Sequence, residues 1–331
     1  MMRDENIGQL FDDVRTGSRR ALARALSLVE STTPADRDFA FQLLEMCSNV
    51  RKTSRRVGLT GSPGVGKSTL VEALGLALVA DGSHVAVLAV DPSSKRTGGS
   101  ILGDKVRMPR LSLHPHAFIR PSPSRLALGG ATTTTRDAIA VCEAAGYDTI
   151  LVETVGVGQS EIEVARMVDL FLLLVLPTAG DDVQGIKRGI MEVAHAILVT
   201  KSDIDARATS IAVSTYSSAL RLMMPSQEDW ETPVLRVCAT QNDGLVGVLE
   251  IIEQYFADRR RTHIDEGRKI QRTDWFTQAL QIELFSALLH NTHGSEFMKL
   301  LKQQVIDGGL PPSVAVHQLV SHFKISITER L

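Results

Sequence analysis

Cysteine is scarce in this chain. Cys47, Cys142 and Cys238 are the whole complement of 3, and their spacing allows neither a disulfide framework nor a Cys-x-x-Cys metal clip. That usage suits a reducing cytosol. Charge of one sign is also lacking: the formal net charge is -2, which excludes bulk attraction to nucleic acid or to an anionic membrane. Long hydrophobic runs are missing too, since the longest, Leu170 to Pro177, is far too short to span a bilayer. The first residues, MMRDENIGQLFDD, are acidic and carry no apolar signal core and no Arg/Ser-rich transit pattern. There is no internal repeat and no low-complexity tract. These absences predict a cytoplasmic protein with no membrane and no nucleic-acid partner. What is present is ordinary for a globular chain, 44% hydrophobic and 22% charged, and 331 residues are enough for a large α/β core with smaller additions.

The chain divides by pattern into 1–50, 51–256 and 257–331. In the first stretch Ala21, Leu22, Ala25, Leu26, Leu28 and Val29 recur at helical spacing, and Phe39 to Met46 repeats the pattern, which predicts an N-terminal helical extension. The middle stretch alternates short apolar runs with helical segments. The runs Val57–Thr60, Val85–Val90, Ala117–Ile119, Thr149–Glu153, Leu170–Leu176, Ala196–Thr200 and Val234–Val237 read as strands, most of them apolar on both faces, as in a buried parallel sheet. Between them Lys67–Ala80, Thr132–Ala145, Gln184–His195, Ala206–Met223 and Leu245–Phe256 read as helices. The predicted class is α/β, a mostly parallel sheet with helices on both faces. The last stretch has no strand signal. Its stripe of Trp275, Phe276, Leu280, Leu284 and Leu288 reads first as intramolecular core and second as a partner surface.

Gly61-Ser62-Pro63-Gly64-Val65-Gly66-Lys67-Ser68-Thr69 matches G-x-x-x-x-G-K-[ST] in full, after an apolar strand and before a strong helix pattern. Glycines let the backbone curl so that successive N–H groups face phosphate oxygens, and the helix N-terminus adds partial positive charge. Lys67 is placed to reach the β- and γ-phosphates and Ser68 to offer a hydroxyl to Mg²⁺. The alternative is a glycine-rich turn without a ligand. The motif as a whole identifies a P-loop NTPase.

The choice of base rests on Thr200-Lys201-Ser202-Asp203, at the end of a buried strand. Guanine sites carry Asn-Lys-x-Asp here: the Asp accepts from guanine's ring N–H and exocyclic amine, and the Lys stem covers the base. The competing reading of Asp203 is a helix N-cap. Thr200 replaces the Asn that would brace the base site against the phosphate loop, so weaker guanine affinity is expected. Cys238-Ala239-Thr240 ends the next strand, where backbone N–H groups touch guanine in such proteins. GTP and GDP are the predicted ligands.

Asp91 and Glu153 each end a strand, and carboxylates at the C-terminal tips of parallel strands face the ligand crevice. With Ser68 they are candidates to hold Mg²⁺; helix capping is the alternative. Asp104, in a glycine-rich loop, is a third candidate or a solvated residue. Gly156 could bond the γ-phosphate through its N–H, making the loop from Val155 to Ser160 a switch. Val157, not Gln, follows Gly156, and Gln159 comes later, so slow intrinsic hydrolysis relieved by a partner is expected. In the loop from Pro177 to Arg188, Lys187 or Arg188 could neutralise transition-state charge, or serve only as surface cations.

These residues together resemble the MeaB/ArgK/MMAA family of GTPases. The carrying segments are residues 85–94, 97–105, 118–123, 142–148, 152–161 and 184–189, within a similarity running from about Arg15 to about Phe256. The resemblance implies G-protein chaperones of an adenosylcobalamin-dependent acyl-CoA mutase, of the methylmalonyl-CoA mutase type. They gate cofactor delivery and protect or reactivate the mutase. It further implies Asp91, Asp104 and Glu153 as magnesium-site acids, the 177–188 loop as a second switch, and the C-terminal helices as the arm of a homodimer. Two other readings stay open: a metal-insertion GTPase, for which His114 and His116 form only a loose pair, and a transport-system kinase.

Overall fold

Strand β1 (Arg55–Gly61) lies inside a seven-stranded sheet of order β3-β2-β4-β1-β5-β6-β7. The other strands are β2 (Val85–Asp91), β3 (Ala117–Pro123), β4 (Thr149–Thr154), β5 (Leu170–Val175), β6 (Ala196–Thr200) and β7 (Val234–Val237). Every pairing is parallel. The computed structural model describes residues 6–31, 33–50, 54–91, 107–123, 130–154, 160–177, 188–222, 230–257, 261–290 and 292–328.

The sheet follows from its sequence. β5, Leu-Phe-Leu-Leu-Leu-Val, is buried at every position, which only a central strand covered on both faces allows. Val57, Leu59, Leu151, Leu170, Leu172 and Leu174 form one face of the core. Leu70, Val71, Leu74 and Leu78 of α4 (Lys67–Ala80) recur at helical spacing and are buried there too. Each such Leu contributes about 2 kcal/mol of transfer free energy. Helix α4 therefore lies flat on the sheet, and its N-terminus is held where β1 ends. A short helix, α5 (Pro109–Leu113), follows before β3; Leu111 packs into the same core. Periodicity does not predict it, because five residues are too few to show a period.

Helices α1 (Ile7–Arg15), α2 (Arg19–Val29) and α3 (Pro34–Ser48) pack on one another, and the last two also on α6 (Gly130–Ala144). Asn6 and Ser18 cap the first two by accepting from Gly8 N–H and Ala21 N–H. Arg120 of β3 reaches Glu30 (2.5 Å) and Ser27 (3.1 Å), tying α2 to the edge strand. Helix α7 (Ser160–Ala165) covers β1 and β4. Helix α8 (Arg188–Glu192) ends before the predicted His195, where Ala194 N–H turns back to Met191 O; 184–187 of the predicted Gln184–His195 lie outside the described residues. Helices α9 (Ala206–Arg221) and α10 (Leu245–Tyr255) complete the layers.

The chain forms two compact units, Met1–Gln271 and Arg272–Leu331, and the division falls within α11 (Arg261–His290). In the first unit Arg268 donates to both carboxylate oxygens of Asp169, at 2.8 and 2.6 Å, and to Ser54 O at 2.6 Å. In the second unit α12 (Thr292–Ile306) packs with α13 (Pro312–Thr328). Of the stripe read first as core, Phe276 (69% exposed), Leu280 (46%) and Leu284 (57%) face solvent, Trp275 is half-buried, and the side chain of Leu288 lies outside the described residues. The period placed these residues on one face but could not say what covers it. No described helix is long and apolar enough to cross a membrane.

Candidate nucleotide site

The loop between β1 and α4 is shaped by glycine. A Cβ on Gly61 would stand 2.4 Å from the carbonyl oxygen of Leu174, so only glycine lets β5 pass this close. Gly66, the N-cap of α4, has φ 99, a left-handed conformation that turns the chain into the helix without a side-chain cap. The first-turn N–H groups of α4 thus point into the loop, as an anion would require.

Lys67 begins α4 and is only 7% exposed. Its Nζ donates to Gly61 O at 2.6 Å and Ser62 O at 3.0 Å, so the ammonium is held over the loop it follows. The Ser68 hydroxyl donates to Glu153 Oε1 at 2.8 Å. Glu153 sits near the end of β4, opposite Leu59 of β1, and is buried. Its carboxylate thus meets the first turn of α4. Asp91 closes β2 one step beyond Val90, which is opposite Thr154. Ser68 meets Glu153, and the end of β2 runs beside the end of β4. A hydroxyl beside a buried carboxylate is the oxygen-donor chemistry Mg²⁺ takes, so these residues fit that ion. Asp104, Gly156, Gln159 and Lys187 lie outside the described residues, as does the side chain of Asp91.

The turn expected to read the base follows β6. Thr200 is buried, and its Oγ1 lies 2.7 Å from Val65 O in the phosphate loop and 3.1 Å from Val175 O at the end of β5. Asparagine is therefore not needed to join this strand to the loop. Lys201 takes φ 54, left-handed and rare for a side-chain-bearing residue. Ser202 N–H donates to Val237 O at 3.4 Å. Asp203 is exposed and is not the cap of the next helix. That place belongs to Asp205, whose Oδ1 accepts from Arg207 N–H and Ala208 N–H at 2.9 Å each. Cys238, at the end of β7, is buried, with its Sγ 3.2 Å from Thr240 Oγ1, and its N–H donates to Asp243 O at 2.9 Å. Cys238 to Thr240 thus forms a closed turn. A cavity of about 550 Å³ opens beside it between α4 and α10, lined by Thr69, Glu72, Arg110, Ala239, Thr240 and Leu249 among others.

His114 and His116 lie elsewhere. His116 O accepts from Val85 N–H at the start of β2, at the end of the parallel strands away from the phosphate loop, and His114 Nδ1 accepts the His116 N–H at 3.2 Å. Among the described residues, no three His, Cys, Asp or Glu side chains are grouped to hold a metal ion.

Sequence reasoning missed two contacts here, the Thr200 bond to Val65 and the capture of loop carbonyls by Lys67. Partners far apart in sequence carry no local signal for the first. The second depends on a lysine reaching back over its own loop.

The chain as a whole has relatives among known proteins. Residues 22–293 match a family model described as methylmalonyl-CoA mutase-associated GTPase MeaB. A probable GTPase of Mycobacterium bovis is 44% identical over 319 residues, covering 96% of this chain and 95% of its own length. A mouse protein, the mitochondrial methylmalonic aciduria type A homolog, is 39% identical over 330 residues, covering 96% of this chain and 80% of its own length. Among solved structures, one described as a LAO/AO transport system kinase superposes with a TM-score of 0.74 at 33% identity, covering 98% of this chain and 99% of that one.

Proposed function

Because the chain belongs to the MeaB family of GTPases and hydrolyses GTP, we propose that it uses that hydrolysis as a chaperone of an adenosylcobalamin-dependent acyl-CoA mutase. In this role it gates cofactor delivery and protects or reactivates the mutase. The family model's description and the methylmalonic aciduria relative support the mutase as partner. The observation that carries the nucleotide chemistry is the placement of Lys67, Ser68 and Glu153 around one loop end.

In this reading Gly61 to Thr69 cradle the phosphates with backbone N–H groups, and Lys67 exchanges its bonds to Gly61 and Ser62 for phosphate oxygens. Ser68, Asp91, Asp104 and Glu153 would hold Mg²⁺ or its waters, and the ion would offset phosphate charge. Lys201 and Asp203 read guanine, with Cys238, Ala239 and Thr240 closing over it. Gly156 senses the γ-phosphate, Gln159 orients water, and Lys187 draws charge from the transition state. Water oxygen bonds to the γ-phosphorus as the bond to the bridging oxygen breaks, leaving GDP and phosphate. Intrinsic turnover is slow and the partner speeds it. Residues 51–256 are the nucleotide domain behind the extension 1–50. Residues 257–331 form the arm of a homodimer, a reading supported by the exposed Phe276, Leu280 and Leu284. The protein works in the cytoplasm.

The test is capture from native extract on the GTP-loaded and GDP-loaded full chain, followed by turnover measurements with the captured mutase. Recovery of a cobalamin-dependent mutase and faster GTP hydrolysis in its presence are expected. No mutase in either nucleotide state, or transfer of labelled γ-phosphate to a protein rather than to water, would overturn the chaperone reading.

A further inference from the structure

The ladder between β1 and β4 stops at Leu59 opposite Glu153. Both strands run on, but toward other neighbours. Thr60 stays paired with Leu173 of β5, and Thr154 with Val90 of β2. Thr60 and Thr154 stand where the next β1–β4 pair would come. Both are fully buried, and their hydroxyls are bonded to each other at 2.8 Å. A side-chain bond therefore closes the sheet where its backbone pairing ends.

From this place the chain leaves in two directions. Leu59 lies in one buried cluster with Leu70 and Leu74 of α4. A Cβ on Gly58 would instead stand 3.1 Å from Val164 of α7 and 2.9 Å from Val168 just after it. Alternate residues of a strand share a face. Glu153, opposite Leu59, is thus on the α4 face, where it accepts from Ser68, and Thr60 and Thr154 are on the α7 face. Adjacent residues of β4 are pinned on opposite faces: Glu153 to the helix that follows the phosphate loop, Thr154 to the strand that enters it. Open α/β sheets hold ligands where strand connections part to opposite faces.

We propose that Thr60 and Thr154 are positioning residues for GTP hydrolysis. Their bond sets the separation of the β1 and β4 ends, and with it the aim of Glu153 at the phosphate end of α4. They lie on the face away from Ser68 and act through Glu153 and Gly61, their neighbours in sequence. Two hydroxyls at 2.8 Å are about 1 Å closer than two methyl groups in contact, which stay roughly 3.5–4.0 Å apart. A displacement of about 1 Å is enough to slow a chemical step by up to about 100-fold. The inference rests on the reading of Gly61 to Thr69 as the phosphate site.

The experiment uses the full chain as wild type, Thr60→Val, Thr154→Val, the two combined, and Thr154→Ser. It measures single-turnover GTP hydrolysis, affinities for GDP and a non-hydrolysable GTP analogue, and thermal unfolding. One valine leaves the other hydroxyl buried without its partner, so each single variant should melt roughly 2–4 °C lower. Two valines keep the shape and strand no polar group, so melting should return to within about 1 °C of wild type. Turnover should not return with it. The hydrolysis rate is expected to fall about tenfold in both single variants and in the double one, with both affinities within about threefold of wild type. Thr154→Ser keeps the hydroxyl and should keep the rate within about threefold. A wild-type rate in the folded double variant overturns the inference, because the pair is then packing alone. So does a rate loss matched by an equal loss of affinity for both nucleotides, or one that serine shares. Lys67→Ala with wild-type affinity and rate removes the phosphate site itself, an outcome distinct from these.

Discussion

Ser68 Oγ donates to Glu153 Oε1 at 2.8 Å, so the first turn of α4 and the tip of β4 are joined directly beneath the phosphate loop. Residues 85 positions apart in sequence thereby share one proton where a hard cation would need both oxygens.

Glu153→Gln keeps the shape of that contact and removes its charge. GTP turnover should fall by roughly 10- to 100-fold and need more magnesium to saturate, while metal-free GDP binding changes little. Steady-state hydrolysis across a magnesium series, beside GDP titration without the metal, checks this.

Lys67 is the buried cation of the loop, bonded to Gly61 O and Ser62 O. Lys67→Ala should weaken GTP and GDP binding by at least about 100-fold through loss of charge-assisted contacts. Fluorescent-nucleotide titration reads it; binding within a few-fold of wild type would remove Lys67 from the phosphate site.

Arg268 and Asp169 form a buried pair, with side chains 8% and 1% exposed. Asp169 also accepts from Arg56 N–H at 3.0 Å, but an alanine at 268 takes away the guanidinium that offsets its buried charge. Arg268→Ala should cost about 3–5 kcal/mol in unfolding free energy, measured by denaturant melts of the full chain. Asp169→Asn in the Arg268→Ala background should recover part of the loss.

Burial pushes the Asp137 carboxyl up to about 7, and Arg136 beside it opposes the shift. The unfolded carboxyl titrates near about 3.9. Between about pH 4 and 7 the folded chain binds more protons than the unfolded one, so this residue's contribution to stability declines as pH rises through that window and is flat above it. Asp137→Asn should flatten the slope and add on the order of 2 kcal/mol at pH 8. Melting temperatures from pH 5 to 8 for both proteins decide it, and parallel curves would refute the assignment.

Local chemistry is legible in the order of residues alone. The apolar runs that form β1 to β7, and the uninterrupted Leu and Val of β5 above all, carry their fate in composition, because a strand covered on both faces needs nothing else. The phosphate loop is equally plain, since its glycines answer a requirement internal to nine consecutive residues. The C-terminal end of α8 and the existence of α5 are less so, the latter being too short to show a period.

The sequence by itself determined a parallel α/β sheet, a loop built for phosphate at the end of its first strand, and the family to which such strings belong. Tertiary structure decided which polar groups meet. It put the Thr200 hydroxyl on Val65 where asparagine was expected, assigned the helix cap to Asp205 and left Asp203 exposed, and turned Phe276 and Leu284 outward. The Thr200 bond depends on the distance between segments remote along the chain, whereas the Asp205 cap reaches only two and three residues ahead. Periodicity and composition report a residue's own element, whereas hydrogen bonds and burial are fixed only when elements pack.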